Sequence, residues 1–174
     1  MKTLLVVSLF ISSVSFGKEF LVKQRKTEVK ISASIDESYE AKESFLNTPL
    51  LIWNKKLKHH GPSIGVFPVE SGTASLISKK GKSTNFKKFK SDNTTNLKSL
   101  KASAIRFDEP KYGDDRVVYN LKYKLPGNIE VFSSETIVKC FNKGIQIKSV
   151  VKSVDYKKFK SAIEKIIKSI KCIK

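Results

Sequence analysis

Between Val117 and Leu125 the side chains fall into two sets. Val117, Tyr119, Leu121, Tyr123 and Leu125 share one side, and Asn120, Lys122 and Lys124 hold the other. A period of two over nine residues is the mark of a half-buried β-strand. Pro126-Gly127-Asn128 follows as a turn, Ile129–Phe141 returns as a second strand, and Asn142-Lys143-Gly144 turns the chain into a third, Ile145–Val154. Three strands joined by two tight turns make an antiparallel meander. Its apolar face must be covered by something.

The end of the chain supplies a candidate cover. Asp155 reads as a helix N-cap, with Val154 placed to staple onto Phe159. At about 100° per residue, Phe159, Ile163, Ile166, Ile167, Ile170 and Ile173 fall within an arc of roughly 120°. Lysines 157, 158, 165, 168 and 171 occupy the remainder. A helix over Tyr156–Ile173 would be roughly 27 Å long, enough to cross a sheet. Upstream, Phe20–Ile35 is strand-like, with Val29, Ile31, Ala33 and Ile35 alternating against Lys30, Ser32 and Ser34. Asp36 then predicts a helix over Glu37–Asn47, and Leu50-Leu51-Ile52-Trp53 with Leu57 a second short helix. Beyond the break at His59-His60-Gly61-Pro62, short strands are predicted at Ile64–Val69, Thr73–Ser78, Asn85–Phe89 and Ser103–Phe107, with a loop at Asp92–Leu97.

The order is strand, two short helices, antiparallel strands and a long amphipathic terminal helix. It resembles the helix-grip fold of the START-like (SRPBCC) superfamily of hydrophobic-ligand binders and polyketide-cyclase relatives. The residues carrying the resemblance are Val29-Lys30-Ile31-Ser32-Ala33-Ser34-Ile35-Asp36 running into the first helix, Trp53 after the second, and Val154–Ile173. The expected fold class is therefore α+β: a curved antiparallel sheet gripping the C-terminal helix. A single helix covers only part of such a sheet, so a cleft can persist between them. Its expected lining is Trp53, Val117, Tyr119, Leu121 and Tyr123, closed by Ile163 and Ile167. Two phenols among apolar groups suit an apolar ligand with one polar end. The competing reading is that these side chains fill a solid core.

Met1–Gly17 (MKTLLVVSLFISSVSFG) has a basic start, a short apolar run and small residues at Ser15 and Gly17. This is the pattern of a cleaved secretory signal, and the run is shorter than the roughly 20 residues a bilayer core requires. The expected organisation is a leader at 1–17 and one α+β domain at 18–174, exported to a periplasm or secreted. The mature chain would have 174 − 17 = 157 residues and charge 33 − 16 = +17, because only Lys2 leaves with the leader.

That charge is a second signal. Lys79, Lys80, Lys82, Lys87, Lys88 and Lys90 crowd twelve positions, with Phe86 and Phe89 among them. Basic residues interleaved with aromatics suit single-stranded nucleic acid or an anionic surface. Nucleic acid is disfavoured, because the chain has only Arg25, Arg106 and Arg116 as arginines and export removes it from the genome. An anionic membrane or envelope surface remains as a partner; lysines that simply keep an edge strand soluble are the alternative.

Catalytic chemistry finds little support. His59 and His60 are adjacent, diverge in helix or strand, and lack companion ligands, so no metal site or cofactor is implied. There is no G-x-S-x-G elbow or Gly-rich phosphate loop, and Asp108-Glu109 and Asp114-Asp115 flank a turn beside cations. The two cysteines permit one bridge, Cys140–Cys172, as an oxidising compartment would allow. Against it, Cys172 would lie about 220° around the helix from Phe159, away from the buried stripe. The leading expectation is an exported carrier of an apolar, lipid-like molecule. A cationic envelope-surface protein is the alternative, and a cyclase-like enzyme on the same fold is a third. Oligomeric state is not indicated.

Overall fold

The meander forms the centre of the molecule. The structure, a computed structural model, describes residues 17–57, 61–69 and 82–174. Most of the expected leader (residues 1–16), His59, His60, the strand expected at Thr73–Ser78, and Lys79 and Lys80 lie outside the described residues. In chain order the described elements are β1 (Lys18–Gln24), β2 (Thr27–Ala33), β3 (Tyr39–Phe45), β4 (Thr48–Asn54), β5 (Ser63–Val69), α1 (Lys82–Ser99) and β6 (Ser103–Phe107). They continue with β7 (Lys111–Tyr112), β8 (Arg116–Leu125), β9 (Ile129–Cys140), β10 (Lys143–Lys152), α2 (Ser153–Ser169) and β11 (Lys171–Cys172).

The large sheet runs β3-β4-β5-β10-β9-β8-β6, with β7 also on β8, and a small sheet runs β1-β2-β11. The strand pairings are antiparallel. At the β8–β9 turn, Gly127 (φ 79°) and Asn128 (φ 60°) take the left-handed backbone that these residue types tolerate. One face of the large sheet packs against the small sheet and α2, around Leu50, Ile52, Ile64, Val66, Ile145 and Ile147. The opposite face of β8 and β9 packs against α1, around Val117, Tyr119, Leu121 and Ile137. The architecture is α+β, with a large antiparallel sheet between layers.

Three expectations are corrected. Residues 37–57 contain no helix; they form the β3–β4 hairpin. Leu50, Ile52 and Asn54 are buried while Leu51 and Trp53 between them are less so, an alternation that β4 uses against β5. Asp36 caps a turn instead of a helix: its Oδ1 accepts from the Ser38 amide and hydroxyl, both at 2.8 Å. Those bonds, the backbone one first, lower the Asp36 pKa. Residues 85–97 are not a strand and loop but part of α1. Phe86, Phe89 and Leu97 recur at helical spacing and pack on β8, a stripe hidden when the segment is read in five-residue pieces.

The terminal helix is present with shifted ends. It begins after Lys152, so Asp155 lies in its first turn. Val154 is 86% exposed, and the expected staple does not form. The helix stops at Ser169, and the fully buried Ile170 closes it. Lys171 and Cys172 then pair with Ser32 and Ile31 of β2.

Candidate functional site

The tyrosine-bearing side of β8 does not face the terminal helix. Val117, Tyr119, Leu121 and Tyr123 are buried under α1 with Phe89, Leu97 and Val131. The Tyr119 ring stacks on Phe89 at 4.2 Å, and Phe89 meets Phe107 edge-on at 6.0 Å. Burial raises the phenol pKa of Tyr119 and of Tyr123; for Tyr119 the neighbouring Tyr112 and Glu135 add to the shift. Ile163 and Ile167 belong to the cluster on the other side of the sheet. Trp53 sits elsewhere again, stacked on Phe45 at 5.3 Å. The expected lining set is thus divided among three places, because α1 covers the tyrosine-bearing face of β8 while α2 packs on the opposite face of the sheet.

A cleft does lie beneath the terminal helix, with a volume of about 400 Å³. Its floor is the side of β8 that the sequence reading assigned to solvent. Asn120 of β8 stands directly across from Ser134 of β9, and Ser134 across from Ser149 of β10. Thr136 lies two residues along from Ser134 and faces the same cleft. On β9 and β10 this polar row interrupts an apolar face, lying between Phe132 and Val138 on one strand and between Ile147 and Val151 on the other. Thr136 and Ser149 are each 2% exposed, but neither hydroxyl oxygen is both enclosed and without a partner, so the two open into the cleft. A hydroxyl that opens into a cleft can donate to and accept from a molecule held there.

The walls combine two chemistries. Ile163 and Ile167 of α2 come down with Phe132 and Val118 to form an apolar side. Phe132 also contacts the Tyr156 ring at 4.0 Å, which anchors the start of α2 to β9. Lys111, Arg116, Lys160 and Lys168 stand around the cleft, against Glu164 as the one lining carboxylate among the described residues. Lys160 reaches Glu164 only at 4.0 Å. Arg116 is held by Asp115 through two bonds, at 2.9 and 3.0 Å, which lower the Asp115 pKa and raise that of Arg116. Lys111 and Lys168 have no ion pair among the described residues. The site therefore carries surplus positive charge beside an apolar wall and over a row of hydroxyls.

The lysine cluster is only partly within the described residues. Of its members, Lys87 and Lys88 are exposed on α1, Lys88 pairs with Asp92 at 2.9 Å, and the ammonium of Lys90 sits 4.5 Å from the centre of the Phe86 ring. The backbone of Lys82 begins α1. Cys140 and Cys172 are bonded, with Cα atoms 5.6 Å apart. The geometric objection disappears because Cys172 has left the helix for β11.

The sequence reading missed Asn120, Ser134, Thr136 and Ser149. The signal was available: pairing the three strands from their turns sets three of the four in one row. It was passed over because polar residues on alternating strands read as solvent-facing.

No protein-family model matches the sequence, and a search of curated proteins finds no match. Solved structures do resemble it. LpqN, involved in cell envelope biogenesis of Mycobacterium tuberculosis, aligns with a TM-score of 0.58 at 11% identity, covering 91% of this chain and 92% of that one. Cyanobacterial PsbP from Synechocystis sp. PCC 6803 aligns at 0.49 and 12% identity, covering 97% and 99%. The Saccharomyces cerevisiae Ran-binding protein Mog1p aligns at 0.49 and 10%, covering 81% and 89%. The likeness to LpqN is one of fold. It overturns the START-like resemblance, as does the β3–β4 hairpin standing where that order requires two helices.

Proposed function

We propose that this chain is an exported, non-catalytic binding protein that holds a lipid-like amphiphile, anionic at one end, in the cleft beneath α2. The observation that carries the reading is the row of hydroxyls opening into the cleft under a helix that also brings two isoleucines and two lysines. An anionic head would accept from Thr136 and Ser149 and be drawn by the surrounding cations, while a chain lies against Ile163, Ile167 and Phe132. Export is supported by the leader pattern at 1–17 and by the Cys140–Cys172 bond, since disulfides persist in oxidising compartments. The involvement of LpqN in cell envelope biogenesis agrees with that setting.

Calorimetric titration with laurate, dodecyl phosphate and uncharged dodecanol tests it. The two anions are expected to bind and dodecanol to bind at least tenfold more weakly. Thr136→Val should weaken the anions about tenfold or more, the cost of a bond to a charged group. Tyr123→Phe, on the opposite face, should change nothing. Sensitivity to Tyr123→Phe with indifference to Thr136→Val would place the ligand elsewhere and end the proposal.

A second reading, attachment to an anionic envelope surface, is favoured by the exposed Lys87 and Lys88 on α1. It expects vesicles rich in phosphatidylglycerol to bind at low salt and release the protein well before 1 M, where the screening length is about 3 Å. Reversal of both lysines to glutamate should abolish that binding without affecting laurate.

A further inference from the structure

Three junctions of the chain meet at one end of the sandwich. There α1 hands over to β6 through Leu100–Ala102, β8 turns into β9 between Leu125 and Ile129, and β10 hands over to α2 at Lys152–Ser153. Register brings them together: Ser103 is the partner of Lys124, Leu125 of Ile129, and Lys152 of Val131. Each junction presents a large apolar side chain to solvent. Leu100 is 59% exposed, Ile129 42% and Val154 86%. A single exposed hydrophobic residue is ordinary, but these three stand on neighbouring tips, one from each layer of the fold.

The same end is basic. Lys101 and Lys152 are exposed within two of the junctions. Beside them a cleft of about 340 Å³ is lined by Arg106, Lys122 and Lys124, and also by Glu130. Lys124 reaches Glu130 at 3.5 Å, whereas Arg106 and Lys122 have no ion pair among the described residues. A bulge in β6 creates this pairing of cations. Between Ser103 and Arg106 the strand uses three steps where β8 uses two, and Ala104 takes a left-handed φ of 50°. Arg106 thereby stands directly opposite Lys122, on the same side of the sheet; without the extra residue Ile105 would stand there. A guanidinium beside an ammonium suits phosphate oxygens.

These features together select a partner. Separate apolar tips need no matching shape; a bilayer receives each at the boundary between headgroups and acyl chains, and surrounding cations meet anionic headgroups. We propose that this end of the molecule docks on a bilayer containing anionic phospholipid. Leu100, Ile129 and Val154 enter the boundary, and Arg106, Lys122 and the neighbouring lysines hold phosphates. The partner is that of the envelope-surface reading, but the face differs: Lys87 and Lys88 lie in the first half of α1, and Leu100 follows its end. Attachment through those two lysines is purely electrostatic, so neutral substitutions separate the two.

Cosedimentation of the exported form with vesicles of phosphatidylcholine, alone or mixed with phosphatidylglycerol, tests it. Binding to the mixed vesicles is expected, with much less to phosphatidylcholine alone. The double variant Ile129→Ser/Val154→Ser changes no charge and alters exposed positions, so it should fold, as urea unfolding checks, and bind about tenfold more weakly or worse. Lys101→Glu/Lys122→Glu should weaken binding by a similar factor. The parent has a single tryptophan, Trp53, which serves as the blank for Val154→Trp. Emission of that variant should shift to the blue when mixed vesicles are added, beyond any change in the parent. Undiminished binding of the double serine variant, or no blue shift in Val154→Trp, overturns the proposal and leaves the Lys87–Lys88 face standing. Absence of binding to mixed vesicles ends both.

Discussion

Reducing the Cys140–Cys172 bond should lower stability by roughly 3–4 kcal/mol. The two residues are 32 apart in sequence, and the loop they close contains β10 and all of α2. In the chain-entropy treatment, a loop of that size restricts the unfolded chain by about 12–13 cal/mol/K, or roughly 3.7 kcal/mol at 25 °C. The native state gives up little in return. Cys140 is 2% exposed and stays packed, and Ile170 remains buried where the chain leaves α2. The loss should therefore appear in the unfolded state, as a wider ensemble, and leave a folded protein, since domains of this size hold about 5–15 kcal/mol. Urea unfolding with and without a phosphine reductant measures the difference. The midpoint should fall and the slope should rise, because the open chain exposes more surface. Thermal midpoints should drop by roughly 7–15 °C. A Cys140→Ala/Cys172→Ala double variant should match the reduced protein and ignore the reductant. A loss below about 1 kcal/mol would refute the reasoning, because the bond would then not be restraining the unfolded chain.

Ile166 is 1% exposed and points into the core under α2, so Ile166→Ala should cost about 2–5 kcal/mol by urea unfolding. Ile167 borders the cleft, so Ile167→Ala should cost less stability and instead weaken laurate. Burial raises the phenols of Tyr119, Tyr123 and Tyr156 above 10, so the unfolded chain ionises first. Their contribution is whole below about pH 10 and is lost as pH rises through the folded values; urea midpoints should fall steeply there, less so in Tyr123→Phe. The depressed Asp36 carboxyl works in the opposite direction: its contribution holds above about pH 4 and disappears as pH falls through the folded value, so Asp36→Asn should soften the acid limb of the same profile.

Local pattern decided the meander, the turn at Gly127-Asn128 and the existence of the amphipathic terminal helix. Period two and period 3.6 are properties of neighbouring residues, and tight turns bring strands together without help from afar. The same local evidence failed at residues 37–57, where short apolar runs fit helix and strand equally and only pairing with β5 selects the strand. It failed over Asn85–Leu97 for the opposite reason: the stripe of α1 has meaning only against the β8 face it covers. The site was the part least open to local reading. Alternation along β8 separates Tyr119 and Tyr123 from Asn120, but no residue in that strand records which side will receive α2 and which α1. That choice belongs to the packing of whole layers. It leaves the tyrosines in a core and places Asn120, Ser134, Thr136 and Ser149 under the terminal helix, because a two-sided sheet carries its function on whichever face its covering elements leave incompletely closed.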